Sequence, residues 1–84
     1  MTKDEAIKKF KELNRERKTF KLKYQDINLK EAIKKEGWEV TATHEVALKF
    51  DEVKVYLIEC IDNDGRRIIV SANTFGLDAF AAYV

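Results

Sequence analysis

The sequence predicts a small α+β single domain spanning residues 1–84: an antiparallel β-meander of three to four strands, two N-terminal helices and a short C-terminal helix. Three observations point there. The first 36 residues place apolar side chains at helical spacing behind cap residues, an unbroken two-residue alternation begins at Trp38, and an Asn-Asp-Gly turn separates two further apolar runs. A chain of 84 residues has room for one domain, at about 100–200 residues each. Its single cysteine excludes an internal disulfide framework and supplies too few thiolates for a structural zinc site, so apolar packing has to hold the fold. No apolar run approaches the ~18 residues of a membrane span, and the charged start lacks a signal peptide's apolar stretch. A cytoplasmic protein is expected.

Thr2 followed by Glu5 is a capping box, and Ala6, Ile7, Phe10 and Leu13 after it share one side of a helix, expected over residues 3–17. The period changes at Lys18. Phe20, Leu22 and Tyr24 alternate with Lys21, Lys23 and Gln25, the pattern of a short strand over residues 20–24 whose lysines protect a sheet edge. Asn28 and Glu31 form a second cap pair, and Gly37 stands where a helix over 29–36 would end in a left-handed residue.

From Trp38 to Phe50 every even position is apolar or aromatic in character, including His44, which puts His44 on the Trp38 face of a long strand. Such a strand exceeds the usual five or six residues, so a bend or bulge near residues 43–45 is expected. Residues 53–61 are read as apolar on both parities, as in a central strand, and 66–72 form the return strand after Asp62-Asn63-Asp64-Gly65, whose residues tolerate hairpin dihedrals. In the last segment Leu77, Phe80, Ala81 and Val84 fall at helical spacing behind Asn73 and Thr74, which predicts the C-terminal helix. The helices are expected to pack on one face of the sheet.

The net charge of +1 conceals an uneven distribution: residues 1–36 hold 12 basic against 7 acidic side chains, and residues 37–84 hold 4 against 8. Function is sought in that division, because no catalytic set is visible. His44 and Cys60 lie in strands and are read as core, the three glycines are isolated from one another and form no phosphate loop, and no cofactor or metal is expected.

Three readings of the surface remain. The leading one is a non-enzymatic regulatory or inhibitory protein that occupies a partner's surface, with Glu39, Glu45, Asp51, Glu52, Asp62 and Asp64 facing a basic protein, for instance one that handles nucleic acid. Its small size and charge polarity also fit, by analogy, phage or mobile-element inhibitors of host defence nucleases. The second is a nucleic-acid-binding module using Lys8, Lys9, Lys11, Arg15, Arg17, Lys21 and Lys23, with Phe20 and Tyr24 interleaved for stacking. The third is a homodimer built on the apolar C-terminal tail through Phe80 and Tyr83, so that monomer and homodimer both stay open.

Overall fold

The computed structural model describes residues 1–22, 29–47, 54–73 and 79–84. Helix α1 (Lys3–Arg15) is followed by β1 (Phe20–Leu22), α2 (Leu29–Lys35), β2 (Glu39–Ala47), β3 (Lys54–Ile61), β4 (Arg67–Asn73) and β5 (Ala79–Tyr83). The five strands form one sheet in the order β1-β5-β4-β3-β2, and every neighbouring pair is antiparallel. The expected β2-β3-β4 meander is present. Tyr24, Lys23, the Asn28 cap, residues 48–50 of the long strand, Asp51 and Glu52 lie outside the described residues.

The C-terminal helix is replaced by a strand. Residues 79–83 form β5, inserted between β1 and β4, where both of its backbone edges are hydrogen-bonded. Alanine favours helix in isolation. Here Ala79, Ala81 and Ala82 are fully buried, and their small side chains let the sheet be covered closely on both sides. The helical spacing of Phe80, Ala81 and Val84 was thus overridden by pairing with chain far away in sequence.

The helices also lie on opposite faces rather than on one. Ile33 of α2 packs with Leu22, Ile58, Cys60, Ile68 and Val70, whereas Ala6 of α1 packs with Leu57 and Ile69, with Met1, Ile7, Phe10 and Val46 around them. The reason is legible in β3 and β4: apolar residues of both parities need cover on both sides of the sheet.

Both helices end in the same way. In α2 the Gly37 amide donates to the Lys34 carbonyl and the Trp38 amide to that of Ile33; in α1 the Arg17 amide donates to Asn14 and that of Lys18 to Leu13. This is a Schellman closure, whose turning residue must be left-handed. Gly37 sits at φ 80° and Arg17 at φ 58°. For an L-residue that conformation costs about 1–2 kcal/mol, which the glycine avoids and the arginine does not.

The bulge in β2 falls earlier than expected, between Val40 and Ala42, with Thr41 as the extra residue. One extra residue reverses the alternation. Val40 therefore shares the α2 face with Cys60, while Ala42, His44 and Val46 turn to the α1 face. His44 is thus on the side opposite to Trp38, correcting the even-position reading.

Candidate functional site

Two places in the fold combine polar chemistry with an unusual environment. The first is an aromatic corner on the α2 face. Strand alternation turns Phe20 in β1 and Tyr83 in β5 to the same side as Ala81 and Ile68, and their rings meet at 6.0 Å with a 32° tilt. Trp38, on the link from α2 to β2, stands edge-on to Phe20 at 6.3 Å. The Arg66 guanidinium lies over the Tyr83 ring, 4.7 Å from its centre. Such cation–π contact contributes roughly 0.5–1 kcal/mol at an exposed site. Phe20 and Tyr83 each remain 39% exposed, so the corner is apolar surface facing solvent rather than sealed core.

Arg66 is held there by the β3–β4 turn. Asp62 Oδ1 accepts from the amides of Asp64 at 2.9 Å and Arg66 at 2.8 Å, and Oδ2 accepts from Arg66 Nε at 2.8 Å. Desolvation alone would raise the Asp62 pKa; the hydrogen bonds from Arg66 and Asp64 outweigh it and leave the carboxyl below its ordinary value. Asp62 is therefore engaged in making the turn and aiming Arg66, and Asp64 stands 3.6 Å from the same guanidinium.

The second place is inside the sheet. Glu59 in β3 is only 7% exposed and points to the α1 face, in a row with Ala42, Ile69 and Ala82. Its two oxygens are both used: the Met1 ammonium donates to Oε1 at 3.2 Å, and His44 Nε2 donates to Oε2 at 2.6 Å. Burial pushes the Glu59 carboxyl up, but the His44 and Met1 hydrogen bonds prevail, so its pKa lies below the ordinary 4.5. The Thr41 hydroxyl, delivered by the bulge, donates to the Glu59 carbonyl at 3.1 Å. A small pocket of about 120 Å³ opens beside this group, lined in part by Met1, Thr41, Arg67 and Val84.

The chemistry available to that pair is limited. Cys60 faces the other side of the sheet, and burial raises its thiol pKa to about 11, so it is protonated at neutral pH and a poor nucleophile. No three His, Cys, Asp or Glu side chains gather as a metal ion would need among the described residues. Glu59 and His44 form a satisfied, little-exposed hydrogen-bonded pair. The sequence reading missed Glu59; the available signal was an acid in the middle of a run that otherwise reads as central strand.

The residues expected to bind partners are distributed as follows. The bulge puts Glu39, opposite Ile61, and Glu45, opposite Tyr56, at different ends of β2 and on different faces of the sheet. Asp62 and Asp64 sit at the turn that follows Ile61, so the expected acids do not form one surface. On α1, Lys8, Lys11 and Arg15 are exposed, Lys9 is half-buried, and Asp4, Glu5 and Glu12 are on the same helix. Phe20 and Lys21 turn to opposite faces, which separates the aromatic ring from the lysine beside it. Phe80 and Tyr83 are likewise on opposite faces.

No helix among the described residues is long and apolar enough to cross a membrane. Comparison with protein families, curated proteins and solved structures finds no match to this chain.

Proposed function

We propose that the chain is a non-enzymatic binding module that holds a protein partner at the aromatic corner formed by Phe20, Trp38, Tyr83 and Arg66. One observation carries the reading: three aromatic side chains and an arginine cluster where large rings remain open to water. In a chain this small every buried ring adds to a thin core, so rings left outside need another reason. Tryptophan, tyrosine and arginine are the residues that dominate protein interfaces, because they bring large contact area at low conformational cost.

The charges around the corner favour a protein over a nucleic acid. Lys18 pairs with Glu16, and Arg66 with Asp62 and Asp64, so much of the positive charge there is already compensated. A phosphate backbone draws its affinity from uncompensated cations. Strand β2, paired among the described residues with β3 alone and carrying exposed Val40, adjoins the Trp38 end and offers main-chain groups to an extended partner segment.

The test is a nuclease-treated affinity capture with the wild type and a Phe20→Ser/Tyr83→Ser variant, followed by calorimetry on the purified pair. Truncating two central anchors is expected to weaken binding by about 2–4 kcal/mol or more. Equal affinity of the two proteins would exclude the corner. The exposed Lys8, Lys11 and Arg15 on α1 support nucleic-acid binding as the second reading. It requires affinity that falls steeply with salt, and a flat gel-shift titration at low salt would remove it.

A further inference from the structure

We infer that the partner held at the aromatic corner presents a proline-rich segment in the polyproline II conformation. The inference rests on the protein-binding reading and names the partner's chemistry.

Its starting point is the balance of donors and acceptors around the rings. Trp38 brings an indole N–H and Tyr83 a hydroxyl, and neither has a hydrogen-bond partner among the described residues. The carboxylates at the corner are engaged: Asp62 accepts from two amides and from Arg66 Nε, and Asp64 stands beside the same guanidinium. The side-chain groups left open beside the rings are therefore donors.

A segment fits such a surface when it offers carbonyl oxygens and apolar faces but few N–H groups, because an amide covered by a ring without an acceptor carries the full cost of its lost water. Proline is the residue whose backbone has an acceptor and no donor. In a polyproline II helix no carbonyl is used internally, so all of them are free to accept. An α-helix engages its carbonyls with its own amides, and an extended strand of ordinary residues brings N–H groups to the rings.

The dimensions agree. A polyproline II helix repeats every three residues, about 9 Å. The ring-to-ring steps are 6.0 Å from Tyr83 to Phe20 and 6.3 Å from Phe20 to Trp38, so pyrrolidine rings one turn apart match the size of the cluster. Phe20 and Tyr83, each 39% exposed, supply the apolar faces. A helix already ordered when free loses little entropy on docking.

A capped proline octamer and a capped octamer of alternating threonine and alanine, which keeps its backbone N–H groups, are each titrated into the isotope-labelled chain. The Trp38 indole N–H and the ring signals of Phe20 and Tyr83 are followed by nuclear magnetic resonance. The proline octamer is expected to bind at least about fivefold more tightly, the factor that corresponds to one unpaired amide. Trp38→Phe keeps an aromatic ring and removes the indole donor; Tyr83→Phe removes one hydroxyl from a ring that is part exposed. Each is expected to weaken the proline octamer by about two- to tenfold, the range of one hydrogen bond.

Equal binding of the two octamers, or a proline affinity unchanged in both variants, overturns the proline inference. Ring signals that neither octamer moves overturn it as well. In these cases the corner keeps its own test, the response of the captured partner to Phe20→Ser/Tyr83→Ser. A single-stranded thymidine dodecamer that moves the ring signals with a steep salt dependence replaces the protein partner by a nucleic acid and removes both readings.

Discussion

Glu59 is the residue on which the interior depends most. A carboxylate so little exposed is stable only while both oxygens have donors, and here they come from distant parts of the chain: the Met1 ammonium and His44. Glu59→Gln keeps the shape and removes the charge, and is expected to lower stability in urea by about 1–3 kcal/mol at neutral pH. The sign of the pH dependence follows from the depressed pKa. The stabilisation is complete above the unfolded value of 4.5 and is lost as pH falls through the lower folded value. The gap between wild type and Glu59→Gln should therefore narrow below pH 4.5; a gap that widens there would show that the carboxylate is not stabilised as described. His44 was legible as core from its strand position, but its partner was not, because residue alternation says which side a group faces and nothing about what meets it across a sheet.

At the scale of elements, the sequence was most informative where a local rule has a local cause. The capping box of Thr2 and Glu5, the terminating Gly37 and the Asp62–Gly65 turn are all short-range hydrogen-bond patterns, and each is present. The two glycines give a graded test. A Cβ at Gly37 would lie 2.9 Å from Asn63 Nδ2 as well as forcing a left-handed L-residue, whereas at Gly65 nothing stands within 4 Å and only the backbone objects. Gly65→Ala is expected to cost about 1 kcal/mol and Gly37→Ala more, read as midpoints of urea denaturation. Equal costs would mean that Asn63 yields freely. What was not legible was β5, since Ala79 to Tyr83 contains good helix formers and only β1 and β4 on either side make it a strand. The position of the bulge escaped for a related reason: a strict alternation marks no place for the extra residue, and the one-residue shift exchanges the faces of every side chain beyond it.

For the molecule as a whole, the charge division that looked like two opposed halves becomes a different arrangement. The basic helix α1 covers one face, the acids of β2 are split between faces, and the open feature is apolar and aromatic. The layering also sets where the structure opens. Val70 and Ile69 lie in β4, flanked by β3 and β5 and covered from both faces, while β1 spans three residues and has one neighbour among the described residues. Native-state hydrogen exchange is expected to be slowest at β4 and fastest within the sheet at β1; β1 amides as protected as those of β4 would contradict the edge assignment. The pairing of β1 with β5 has one more consequence, in time rather than in space. Phe20 meets Ala81, about 60 residues later, so the pairing of the first strand made waits for β5. While the chain is being synthesised, Phe20 can meet Trp38 before β5 exists, but the aromatic corner is completed only when Tyr83 arrives and the sheet closes.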